Sequence, residues 1–300
     1  MRQPSLLERI FFSSSDGRLR SGWRVIVQTS FQYALALLLS LAAILIGLIG
    51  SLDTPQNLLA AKAIEVLALI ISILAACRWL DRRRIADFGL QPARRWADFT
   101  AGLLIAGLQM GAVFTIYQLA GWSVVQSFAW ETEPVREVVR AAATLLLLFL
   151  LVGFGEELHL RGYVLQNLAE GIGRWPAVLL SSLIFALSHI FNPGGKAPMA
   201  IVGLFAAGLF FAYAYYRTGQ LWLSIGLHVA WNFFENPVFG FPVSGLAVPG
   251  LIRQSIVGPP FWTGGVFGPE ASPVILAILA LGVGLIEIYK RLEARWPGSR

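Results

Sequence analysis

Eight runs of apolar residues, most of them close to twenty residues long, occupy this chain from residue 24 to residue 290. A helix needs about 20 apolar residues to cross a bilayer, and inside hydrocarbon its backbone polar groups must be satisfied within the segment. The expected fold is therefore an all-α, polytopic transmembrane helix bundle of about eight spans. Approximate limits are 24–51, 57–78, 99–121, 138–168, 176–191, 198–216, 221–240 and 272–290. Composition agrees: 56% of residues are hydrophobic and 13% charged, against roughly a quarter charged in soluble domains.

The net charge of +6 does not predict a nucleic-acid partner, because most arginines stand at the ends of apolar runs. There they orient a protein in the lipid bilayer. Arg2, Arg9, Arg18, Arg20 and Arg24 precede or open the first run. Arg78, Arg82, Arg83, Arg84, Arg94 and Arg95 lie between the second and third. Arg161, Arg174, Arg217, Lys290, Arg291, Arg295 and Arg300 fall on the same side. The other side is poorer, with Lys62, Arg136, Arg140, Lys196 and Arg253, several of them accompanied by Asp53, Glu131, Glu133 and Glu137. This asymmetry predicts that both termini are cytoplasmic, and the expected location is the plasma membrane. Residues 1–22 read as a cytoplasmic tail without a cleavage pattern, and residues 23–300 as a single membrane domain. The stretch Phe241 to Ser272 is broken by Gly and Pro and reads as an outer loop, partly re-entrant. The single cysteine, Cys77, rules out an internal disulfide or a multi-cysteine metal site.

Against this apolar background Glu156, Glu157, His189 and His228 stand out, since ionisable groups at membrane depth are costly and usually functional. Residues four apart on a helix share a face, so Glu157 and Arg161 can pair as a structural clasp. Glu156 points about 100° away and is left free to react. His228 and Asn232 share a face, as do Phe185 and His189. At about 1.5 Å per residue, Glu156 lies roughly 18 Å and His189 roughly 20 Å from the inner helix ends. His228 and Asn232 lie roughly 10 and 16 Å in, the same slab of the bilayer. For Glu156 this holds only if its helix continues past Arg161 to about Leu168. A glutamate in such a cavity can take a proton from water. A histidine can orient that water, and His228 and Asn232 can donate hydrogen bonds to a developing oxyanion.

Glu156-Glu157-x-x-x-Arg161, Phe185-x-x-x-His189 and His228-x-x-x-Asn232 together resemble, in order, the three motifs of the CPBP family. These are type II CAAX prenyl endopeptidase-like and bacteriocin-processing intramembrane proteases. Tyr216-Arg217-Thr218-Gly219 leading into Leu221-Trp222-Leu223 is similar to strings common there. The likeness covers residues 136–237 well, and the flanking spans by hydropathy alone. It implies an endopeptidase that hydrolyses a membrane-anchored peptide or protein, with the site buried between spans four, five and seven. The implied catalytic set is Glu156 and His189 on the water, with His228 and Asn232 on the oxyanion side. Glu157 and Arg161 are given a supporting role. The family is often labelled metalloprotease, and Glu156, His189 and His228 match the ligand types of a catalytic Zn2+. A glutamate-dependent mechanism and a metalloprotease both stay open. His159 departs from the usual aromatic or aliphatic residue and adds a third imidazole. In eukaryotic members the implied substrate is a prenylated tail.

Plainer readings exist for each residue. Glu157 and Arg161 are read as a helix-stabilising pair, and His159 as a lining residue. His189 could cap a helix before the turn Asn192-Pro193-Gly194-Gly195, and His228 and Asn232 could be interhelical hydrogen-bond glue. Lys62 and Glu65 are expected to snorkel or pair, and Glu287 to pair with Lys290 or Arg291. The competing function is a non-enzymatic membrane scaffold or bacteriocin-immunity-type protein of the same fold. A coupled transporter would want inverted repeats, which the sequence does not show.

Overall fold

The computed structural model describes residues 5–14, 16–52 and 54–295; of the charges named above, Arg2, Asp53 and Arg300 lie outside these described residues. The chain is 73% helical. Among the described residues, long helices follow the apolar runs in order. They are α1 (Ser21–Leu45), α2 (Pro55–Ala76), α3 (Arg95–Leu119), α4 (Val135–Ile172), α5 (Arg174–Ser188), α6 (Pro198–Thr218), α7 (Trp222–Phe233) and α8 (Val274–Ala294). Five of them, α1, α2, α3, α4 and α6, are long and apolar enough to cross a membrane.

The remaining three depart from that pattern for separate reasons. α5 has 15 residues and α7 has 12, short of the roughly 20 a bilayer needs. Every residue of α7 from Leu223 to Asn232 is buried, so it is enclosed by its neighbours rather than by lipid. Its register then loosens into a π-helical turn, Phe234–Val238, that contains Pro237. α8 has 21 residues but carries Glu287, Lys290 and Arg291 toward its end.

α4 does not stop at Arg161. It passes through a π-helical segment, Leu158–Val164, and resumes to Ile172, as the depth argument required. A π segment widens one turn of a helix and is frequent beside functional groups. α1 is the helix least covered by protein, with Leu37, Leu38, Leu41, Ile44 and Leu45 all exposed. In water such a stripe would aggregate; in a bilayer it meets lipid.

The tightest crossing is α3 on α7. A Cβ on Gly102 would meet the Leu223 carbonyl, and one on Gly226 would meet the Phe99 carbonyl. Glycine at both positions lets the two backbones touch. At the arginine-rich end of the bundle, Arg24 is buried rather than facing headgroups. It pairs with Asp81 at 2.7 Å, and the Tyr163 hydroxyl donates to the same carboxylate at 2.9 Å. Arg24 also reaches Glu170 at 2.9 Å, so this cluster ties α1 to α4 and to Asp81 in the π-helical turn that follows α2.

At the opposite end two strands pair antiparallel, β1 (Ser123–Phe128) and β2 (Ile252–Ile256), with Val124 opposite Ser255. The Phe241 to Ser272 connection is thus more ordered than a broken loop: β2 gives it a fixed edge on the α3–α4 connection. One pairing differs from expectation. Glu287 accepts from Arg217 at 2.6 and 3.0 Å and from the Tyr213 hydroxyl, not from Lys290 or Arg291. α6 packs against α8, which places Arg217 across from Glu287, while Lys290 turns to Glu293.

Candidate active site

Glu156 and Glu157 close the regular part of α4 and diverge as the helix geometry requires. Glu157 is wholly buried, whereas the Glu156 side chain keeps 23% of its exposure. Arg161, 1% exposed, donates to Glu157 Oε1 at 2.8 Å and to the Gly208 carbonyl of α6 at 3.2 Å. Its guanidinium lies over the rings of Phe185 and Phe211, 4.7 and 5.1 Å from their centroids. Buried charges are tolerated only when paired in this way.

Glu157 does more than pair with Arg161. Its Oε1 also takes a hydrogen bond from His228 Nδ1 at 3.0 Å. Because the acceptor is a carboxylate held by Arg161, Nδ1 carries a proton and Nε2 is turned toward Glu156, 3.9 Å from its Oε2. The helix-pair reading of Glu157 is therefore too small: the residue sets the tautomer and aim of an imidazole on another helix. Phe211 stacks on the same ring, with centroids 4.8 Å apart and planes 13° from parallel.

His189 forms the C-cap of α5, as its turn sequence suggested. Its Nδ1 lies 2.9 Å from the Phe185 carbonyl. A carbonyl only accepts, so Nδ1 holds the proton and Nε2 presents a lone pair. The capping reading and the functional one are thus compatible: the cap bond is what leaves Nε2 free.

Glu156, His189, His228 and Asn232 line one cavity of about 190 Å3, whose wall also includes apolar side chains such as Phe149, Phe211 and Trp231. A second cavity of about 580 Å3 adjoins it on the α1 side, lined in part by Thr29, Tyr33 and Leu160. Lys62, Val152, Glu156, His189 and Asn192 line both and so mark the border between them. Lys62 pairs with Glu65 at 2.7 Å, one of the two expected outcomes, and it lines both cavities. His159 sits apart from this convergence: it faces the larger cavity and meets Thr29 Oγ1 at 3.2 Å.

Two side chains at the smaller cavity had no place in the sequence reading. Glu270 and Ser244 come from the α7–α8 connection, and both line it. Burial pushes the Glu270 carboxyl above the usual carboxylate range, against the opposing pull of the Ser244 donors. The available signal was a lone acid in the apolar string Gly268-Pro269-Glu270-Ala271. Glu235, in the π-helical turn after α7, is fully buried.

Among the described residues no three His, Cys, Asp or Glu side chains are grouped so as to hold a metal ion. Glu156, His189 and His228 border one space without forming a ligand cage.

A helical membrane bundle that encloses a carboxylate, two imidazoles and an amide around one cavity has the make-up of an integral membrane peptidase. Residues 139–234 match the family described as type II CAAX prenyl endopeptidase Rce1-like, a stretch that holds all seven motif residues. The chain is also 27% identical over 221 residues to "Putative membrane peptidase YdiL" of Bacillus subtilis (strain 168), covering 70% of this chain and 83% of that protein. No solved structure matches it. The two matches support a CAAX/CPBP-like protease family for this chain, and with it a CAAX-protease-like membrane peptidase.

Proposed function

We propose that the protein is a glutamate-dependent intramembrane endopeptidase that cleaves a membrane-anchored peptide or protein. The observation that carries this is the 3.9 Å approach of His228 Nε2 to the Glu156 carboxylate, at a cavity His189 and Asn232 also line. A water molecule held there between Glu156 and His189 Nε2 loses a proton to the carboxylate as its oxygen attacks the scissile carbonyl. The oxyanion accepts hydrogen bonds from the Asn232 amide and from His228, protonated at Nε2. Glu157 supports that second proton because its charge faces the opposite ring nitrogen. Collapse of the intermediate breaks the C–N bond, and the proton on Glu156 passes to the leaving amine.

The apolar wall of the cavity strengthens each of these interactions by excluding bulk water. The larger cavity under α1 gives the substrate a lateral approach, since α1 is the least enclosed helix. The substrate is anchored in the bilayer, and a prenylated tail is one such anchor. The charge asymmetry puts both termini in the cytoplasm, and the reading takes residues 23–300 as one domain in the plasma membrane.

Because the metal-ligand types do not converge, no step is routed through a metal. Treatment with 1,10-phenanthroline should leave cleavage unchanged; inactivation reversed by added zinc would overturn the metal-free mechanism. The principal test is Glu156→Gln in vesicles carrying an anchored reporter. General acid–base catalysis contributes about 10²- to 10⁴-fold, so cleavage should fall by that much while the protein stays folded. Cleavage at the wild-type rate would overturn the role of Glu156, whereas a wild-type protein that leaves the reporter uncut would put the scaffold reading in its place.

A further inference from the structure

Glu270 lies far along the chain from the motif residues, yet it borders the same cavity and is only 7% exposed. Its Oε2 accepts from the Ser244 backbone N–H at 2.7 Å and from the Ser244 hydroxyl at 2.6 Å. Ser244 has φ 46°, in the left-handed region that serine seldom adopts. Backbone of that kind persists only where its surroundings over-determine it, and two donors converging on one carboxylate oxygen supply the constraint. The backbone of Glu270 is itself fixed, because α6 meets its carbonyl at Gly203, where any Cβ would collide.

The clamp leads to the site. The Ser244 carbonyl accepts from Asn192 Nδ2 at 2.8 Å, and the Asn192 N–H donates to the His189 carbonyl at 3.0 Å. His189 ends α5, where the helical ladder no longer holds the chain. Its ring is fixed from one side by the Nδ1 bond to Phe185, and its backbone from the other by Asn192.

We infer that Glu270 is a positioning residue for His189, anchoring Ser244 and through it the Asn192 turn that carries the imidazole. This rests on the hydrolytic reading of the site, and its test has a readout independent of activity. The chain has three histidines, so protein labelled with 15N-histidine gives three sets of ring signals, assigned by substituting each in turn. Glu270→Ala should move the His189 signals and leave those of His159, which contacts α1, in place. Glu270→Gln keeps an amide oxygen for Ser244 and should restore the His189 signals. In the reporter assay kcat should drop about tenfold or more in Glu270→Ala with KM nearly unchanged, because small misplacements of catalytic groups cost rate. Glu270→Gln should recover most of that loss.

If Glu270→Ala loses the His159 signals and so has not folded, Asn192→Ala cuts the same strut while leaving the clamp intact, and should displace His189 alone. His189 signals that stay put in the folded variant would overturn the inference. So would a Glu270→Gln protein as perturbed as Glu270→Ala, because the acceptor would then not be what matters. Failure of the hydrolytic reading looks different: the wild type leaves the reporter uncut while His189 still responds to Glu270.

Discussion

Glu157 shows how one side chain can serve stability and chemistry together. Removing one partner of a buried ion pair leaves the other charge uncompensated, at a cost of about 3–5 kcal/mol. With Glu157 wholly buried and Arg161 1% exposed, Arg161→Leu should destabilise the protein by that amount, measured as a lowered detergent-unfolding midpoint. Glu157→Gln keeps an oxygen for His228 Nδ1 but no charge for a second ring proton. It should reduce kcat more than it reduces stability. The clasp itself was readable from the four-residue spacing. The His228 contact was not, because a partner on another helix has no signature in local periodicity. His159, read as a lining residue, faces the larger cavity and meets Thr29, so His159→Phe should retain hydrolysis.

Among the elements, the α3–α7 crossing sets where His228 and Asn232 can stand. A Cβ at Gly226 has nowhere to go but into the Phe99 carbonyl, and overpacking of this kind costs about 1–3 kcal/mol. Gly226→Ala should therefore lower the unfolding midpoint and weaken cleavage together, while Gly111→Ala on α3, which meets nothing within 4 Å, should do neither. The apolar runs located every long helix, since hydrophobic length is a local property of sequence. They overstated α7 as a span, because a helix enclosed by protein is as apolar as one facing lipid. The β1–β2 ladder and the Ser244–Glu270 clamp were hidden for a related reason. Both depend on segments far apart in sequence that meet only after the bundle has assembled.

At the scale of the molecule, the charge asymmetry and the buried Arg24 cluster belong to the same end of the bundle. If both termini are cytoplasmic, accessibility tags fused to either one should be labelled only after the membrane is permeabilised; labelling of intact cells at either tag contradicts that orientation. The enclosed site also sets a requirement on the substrate. A reporter held in the bilayer should be cut faster than the same peptide free in solution, since the larger cavity opens beneath the lipid-facing α1. The account stands or falls on side chains from α4, α5 and α7 acting as one unit. Groups that act as a unit are strongly non-additive, so that losing one member costs nearly as much as losing several. The most direct measurement is the cleavage rate of an anchored reporter by purified, reconstituted Glu156→Gln, His228→Ala and the double variant, each confirmed as folded. The double variant should be no slower than the worse of the two single variants. A double variant whose loss is the product of the two single losses would mean the residues work independently, and would contradict a single catalytic unit.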